Sequence, residues 1–164
     1  MGRDGCGRAP SPARSDARIS RKKGVLDVTN GSKAVRRRYH DAWNSGDTAA
    51  LDGIMTPDVV NHSPLPGQAD GVEGFKQALR WMRSGVPDLT ITIDSSVAEG
   101  DRVSTRWTGT GTHSGELMGI PATGRRVTVS GIDICRISDG RIAEYWQELD
   151  TLSMLQQLGV IPAR

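Results

Sequence analysis

The sequence predicts an α+β domain in which helices come first and a curled antiparallel sheet follows. Apolar residues recur at helical spacing through the first part and alternate at period two through the second. Between two alternating runs, Ser138-Asp139-Gly140 supplies a strong hairpin signal.

Each element has its own residues. Ser32 is a plausible N-cap for a first helix, with Val35, Tyr39, Ala42 and Trp43 on one face up to Asn44 and Gly46. Asp47 caps a short second helix through Leu51, Ile54 and Met55, which Pro57 stops. Val59 and Val60 suit a brief strand. A third helix starts near Gly71, places Val72, Phe75, Leu79 and Met82 on one face, and ends by Gly85 and Pro87. Leu89, Ile91 and Ile93 then alternate with polar residues, and Glu99-Gly100-Asp101 turns the chain into a partner strand over 102–112. After a Gly/Pro-rich connection come strands over 127–137 and 141–147, and a closing helix over 151–158.

At 164 residues the chain fits one domain whose core needs no staples. Residues 1–30 are rich in Gly, Arg, Ser, Pro and Asp without apolar periodicity, so a disordered basic tail is expected there. It reads first as a dispensable extension or as translated sequence upstream of the true start, and only on a poor signal as a basic electrostatic arm. The folded domain is expected over 31–160, with 161–164 as a C-terminal end. Residues 1–38 hold eleven Lys/Arg against three Asp, whereas 39–164 hold ten against sixteen acids. Basic charge thus clusters toward the N-terminal part least expected to fold, which argues against a nucleic-acid partner. No apolar run long enough to span a membrane occurs, nor a signal-peptide pattern, so a cytoplasmic protein is expected. Cys6 and Cys135 lie in a tail and an apolar strand, so no disulfide is expected and Cys135 reads as a packing residue.

Several stretches, in order, resemble the SnoaL-like polyketide cyclases of the NTF2-like superfamily. They include Tyr39-His40-Asp41-Ala42-Trp43-Asn44-Ser45-Gly46-Asp47, Pro57-Asp58-Val59-Val60-Asn61-His62 and Arg106-Trp107-Thr108-Gly109-Thr110-Gly111-Thr112-His113. Met118-Gly119-Ile120-Pro121-Ala122-Thr123-Gly124 and Leu155-Gln156-Gln157-Leu158-Gly159 continue the series, which covers roughly 32–160. The resemblance implies an NTF2-like, cystatin-like cone: a curved antiparallel sheet wrapped over three N-terminal helices, with a deep pocket open at one end. The wider group holds cyclases, isomerases, epoxide hydrolases and plain binding modules, so the fold alone does not settle the activity.

Cyclases of this family close a ring by an intramolecular aldol step. That needs a positioned acid/base, donors for the enolate oxygen and an apolar cavity, and implies no metal and no cofactor. Matched through Asp139-Gly140, the cyclases' acid/base aspartate falls on Gln147. An amide has no titratable proton near neutral pH, although it donates a hydrogen bond to an oxyanion. Asp133, where the cyclases carry a pocket histidine, is the next candidate. Strand alternation sends it to the opposite face from Ile132 and Ile134, and an apolar setting would raise its pKa. The alternative is an aspartate tied to a neighbouring strand or an arginine. The catalytic candidates are therefore Asp133 and Gln147.

Asn61 matches a pocket asparagine of the family; the alternative is an Asx turn before Ser63-Pro64. His113 ends a strand near the expected pocket mouth, whereas His62 reads as a surface residue. Tyr145 shares strand parity with Gln147, and Tyr39 and Trp43 could form one wall. These, with Trp107, complete the expected substrate-binding set, although core packing would explain each aromatic equally well. Glu144 is expected in a salt bridge or at an interface. Epoxide hydrolysis in this fold needs two carboxylates bracketing an arginine, and here Arg106 is flanked by matches at Thr108 and Gln147 only.

Three functional classes follow: a small-molecule acid/base enzyme, a non-catalytic module holding a hydrophobic ligand, and a scaffold dimer. The expected partners are a hydrophobic small molecule and a second copy of the chain. The copy would meet the outer sheet face that carries Ile132, Ile134, Ile137 and Trp146.

Overall fold

A computed structural model describes residues 15–162. Helix α1 (Ser15–Ser45) leads into a 3₁₀ turn (Ala49–Gly53), strand β1 (Met55–Asn61) and helix α2 (Gly71–Gly85). Strands β2 (Thr90–Glu99), β3 (Arg102–Thr112), β4 (Arg126–Ser138) and β5 (Arg141–Leu149) follow, closed by helix α3 (Thr151–Leu158). The sheet order is β1-β5-β4-β3-β2. The curved sheet and its helices form the expected α+β cone.

Several elements differ from the sequence reading. Helix α1 begins at Ser15, within the segment expected to be disordered, while 1–14 and 163–164 lie outside the described residues. Periodicity detects a helix face that packs. It is silent on a stretch without such a face, which can still extend an already nucleated helix because each added residue gains a bond without a new nucleus. Strand β1 starts at Met55 and runs through Pro57. It is an edge strand, where a residue lacking an N–H is tolerated. It joins β5 in parallel, making the sheet mixed; alternation reports which face a residue takes and not the direction of its neighbour.

The hairpin between β4 and β5 turns on Asp139 and Gly140, with φ of 49° and 72°. Two successive left-handed residues define the tight turn that fits strand twist. It pairs Ser138 with Arg141 and Ile137 with Ile142; a bulge between Arg136 and Ile137 then shifts the register by one, placing Asp133 across from Gln147 and Cys135 across from Tyr145. The main core joins Tyr39 of α1, Phe75 and Leu79 of α2, and Cys135, Ile142 and Tyr145 of the sheet. Burying a side chain such as Leu79 contributes about 1.5–3 kcal/mol. Burial pushes the free Cys135 thiol up to about 12, consistent with a packing role. Ile137 packs against this core rather than on the outer face, as its parity with Cys135 requires.

Helix α3 is capped by Asp150, whose carboxylate accepts from the Ser153 N–H at 3.0 Å, and ends on Gly159 in the left-handed region. The Gln157 side chain clasps β4, donating to the Thr128 carbonyl and accepting from its N–H, both at 2.8 Å. Among the described residues no helix is long and apolar enough to cross a membrane.

Candidate active site

A cavity of about 130 Å³ lies between α1, α2 and the inner face of the sheet. Its wall is mostly apolar, with Tyr39, Trp43, Trp107 and Tyr145 contributing aromatic surface. Leu65, Met82 and Leu117 also border a second hollow of about 410 Å³. Gly131 of β4 lets Trp107 lie close against the sheet; a Cβ there would stand 2.4 Å from Trp107 Cζ2.

The buried charge comes from two elements. Arg36 of α1 and Asp133 of β4 are 2% and 1% exposed. Arg36 Nε donates to Asp133 Oδ1 at 2.9 Å, and Nη2 donates to Oδ2. This is a two-pronged ion pair, and its guanidinium stays protonated. Arg36 also lies over the Tyr39 ring at 4.6 Å, and the Tyr145 hydroxyl donates to Asp133 Oδ2 at 3.4 Å. Desolvation raises the Asp133 carboxyl above its ordinary value, against the opposing pull of Arg36, Tyr145 and Trp107. Strand alternation is as expected: Ile132 and Ile134, 50% and 39% exposed, take the other face.

Gln147 lines the cavity directly across the ladder from Asp133, and its backbone N–H donates to Ser63 Oγ at 3.1 Å. Asn61 also lines the cavity, and its carbonyl oxygen accepts from the Ser63 N–H at 3.0 Å. Both readings of Asn61 therefore hold, wall residue and Asx turn together.

Residues 33–158 match the model of the SnoaL-like polyketide cyclases. The chain belongs to the SnoaL-like polyketide cyclase family. It is 31% identical over 129 residues to the aklanonic acid methyl ester cyclase DauD of Streptomyces sp. (strain C5), covering 75% of this chain and 78% of DauD. It is also 31% identical over 120 residues to the nogalonic acid methyl ester cyclase of Streptomyces nogalater, covering 72% and 90%. Among solved structures, TsrD from Streptomyces laurentii superposes with a TM-score of 0.75 at 38% identity, covering 80% of this chain and 97% of TsrD.

Within this SnoaL-like cavity, Asp133, Gln147, Asn61, Tyr145, Tyr39, Trp43 and Trp107 are brought together. His113 is not among the lining residues. It is fully buried in the β3 connection, where Nδ1 lies 3.1 Å from Thr123 Oγ1 and accepts from the Thr123 N–H. A strand-end histidine between glycines reads as a pocket-mouth residue, but the returning loop covers it. Arg106 also lies elsewhere, 3.3 Å from Asp94 on the exposed side of β3. The arginine matched to the epoxide hydrolases therefore does not reach the cavity. Glu144 holds Arg136 at 2.5 Å and His62 at 3.0 Å, while His62 stacks on Trp146 at 4.3 Å on the outer face.

Of the ionisable residues that line the cavity, sequence reasoning missed two, Arg36 and His40. Arg36 enters the sequence reading only as one of the eleven basic residues counted over 1–38. Yet it stands three and seven positions before Tyr39 and Trp43, on their helical face. His40 lies one turn beyond Arg36 and is 4% exposed. Burial, and then the Arg36 charge, pushes its pKa down to about 3, so the ring is neutral.

Proposed function

We propose that this SnoaL-like protein is an enzyme that performs cofactor-independent acid/base chemistry on a hydrophobic, oxygenated small molecule. The reaction is an aldol ring closure or an isomerisation. Asp133, ionised against Arg36, takes the proton from a carbon next to a carbonyl; the C–H electrons become the enolate. The Gln147 amide and the free Arg36 Nη1 donate to the enolate oxygen. In ring closure the enolate carbon bonds a second carbonyl carbon, and the proton held by Asp133 returns to the resulting alkoxide.

The observation that supports this reading is a single buried carboxylate facing an amide across an apolar cavity. The relatives are named for aklanonic and nogalonic acid methyl esters, which are therefore the first trial substrates. Asp133→Asn should retain such a ligand and lose conversion by at least about a hundredfold. Full activity in this variant would remove Asp133 from the mechanism.

A second reading is a binding module for a hydrophobic ligand. It is favoured because both Asp133 oxygens already engage Arg36 and because Gln147 replaces the family's titratable aspartate. Tight retention by the wild type of a ligand it never converts would decide for the module.

A further inference from the structure

His40 presents an unsolved hydrogen-bonding problem. Neither Nδ1 nor Nε2 has a hydrogen-bond partner among the described residues, although the ring is 4% exposed and lines the cavity. Buried polar side-chain atoms almost always find at least one partner, so an imidazole with none calls for an explanation. Its neighbours on the same helical face share the condition. Arg36 Nη1 and Trp43 Nε1 are also buried and unpartnered among the described residues, and both residues line the cavity.

Packing alone does not account for a histidine here. Tyr39 meets the ring edge-on, with centroids 6.2 Å apart and planes at 89°. A phenylalanine would offer the same contact without desolvating two ring nitrogens. Protonation is opposed from the same helix, because Arg36 places a permanent positive charge one turn away. The ring therefore offers one N–H and one lone pair. A neutral imidazole of this kind is a poor proton acceptor and a good directional donor.

We propose that His40 is a substrate-contacting residue, whose neutral imidazole donates a hydrogen bond to a ligand carbonyl oxygen beside the free Nη1–H of Arg36. This assignment rests on the cavity being the ligand site, and it deepens that reading by naming what one wall recognises: an oxygen acceptor on an otherwise apolar ring system. Arg36 and His40 then stand together as the donor pair for the oxygen on which charge develops, while Gln147 approaches from the sheet. No proton need leave His40.

A matched pair of probes tests this: 1-tetralone, which carries one carbonyl oxygen, and tetralin, which has nearly the same shape and none. The full-length wild type should bind 1-tetralone about fivefold more tightly than tetralin, the worth of one net hydrogen bond. In His40→Phe that preference should fall to about twofold or less while tetralin affinity holds. The variant should melt no lower than wild type, and about 2 °C or more higher, since an unpartnered polar ring has been removed. His40→Asn, which restores a donor, should regain part of the preference. An undiminished preference in His40→Phe would overturn the assignment. So would a lower melting temperature with equal loss of both probes, which would make His40 a packing residue. Binding of neither probe by the wild type would instead overturn the cavity reading, and the assignment with it.

Discussion

Arg36 reaches from helix α1 to strand β4 and engages both carboxylate oxygens of Asp133, a residue 97 positions away in the chain. This pair ties the helix layer to the sheet at the floor of the cavity. Removing one partner strands a buried charge, whereas removing both removes the desolvation penalty as well. Arg36→Met should therefore destabilise the fold by about 3–5 kcal/mol in urea unfolding, and Arg36→Met with Asp133→Leu should recover most of that loss. A double variant no more stable than the single one would show that the residues do not act as a pair.

Acid should expose His40. Its folded pKa is near 3 against an ordinary 6.5, so within that window the unfolded chain takes a proton that the folded chain refuses. Stability from this group is complete above pH 6.5 and is lost as pH falls toward 3, at up to about 1.4 kcal/mol per pH unit. Arg36 on the same helix deepens the effect. Asp133 on the facing strand opposes it, because its raised pKa favours proton uptake by the folded chain. Comparing denaturation between pH 7 and 4, His40→Phe should show a flatter loss of stability than wild type. Equal slopes would contradict the neutral buried ring.

Gly131 sets the position of the Trp107 wall. A Cβ there would meet Trp107 Cζ2 at 2.4 Å and the Glu148 carbonyl at 2.9 Å. Gly131→Ala should cost about 1–3 kcal/mol and push the indole toward the cavity. Ligand affinity should fall with it, measurable by calorimetry; unchanged affinity and stability would show that the ring has room elsewhere.

The outer sheet face exposes Ile132 and Ile134 beside the Trp146–His62 stack, over which Arg102 lies at 5.6 Å from the Trp146 ring. An apolar face of this kind suits a second copy of the chain. Ile134→Asp should delay elution in size-exclusion chromatography. An elution volume equal to wild type would argue against a dimer through this face.

Period-two alternation made the inward turn of Asp133, Tyr145 and Gln147 legible, because a strand's two faces follow from parity alone. The Asp139-Gly140 turn was legible too, but not the bulge beyond Ile137 that brings Gln147, rather than Trp146, opposite Asp133. The Arg36 contact was not legible: it joins a helix to a strand almost a hundred residues on, and no periodicity encodes where a helix docks. A basic triplet reads as solvated surface until docking shows that Arg36 points inward and Arg37 outward. His113 failed in the other direction. Its glycine-flanked setting resembled a mouth, but tertiary closure by the Thr123 segment converted it into an internal fastener.

The cavity owes part of its wall to helix α3. Met154 of α3 is one of its walls, and Gln157 fastens that helix to the edge of β4 through paired amide contacts at Thr128. The C-terminus thus serves as a bung, seated only after every strand has been laid down. A nascent or clipped chain ending before Asp150 would lack the Met154 wall and the Gln157 clasp, leaving the cavity that holds the Arg36–Asp133 bridge more open to water.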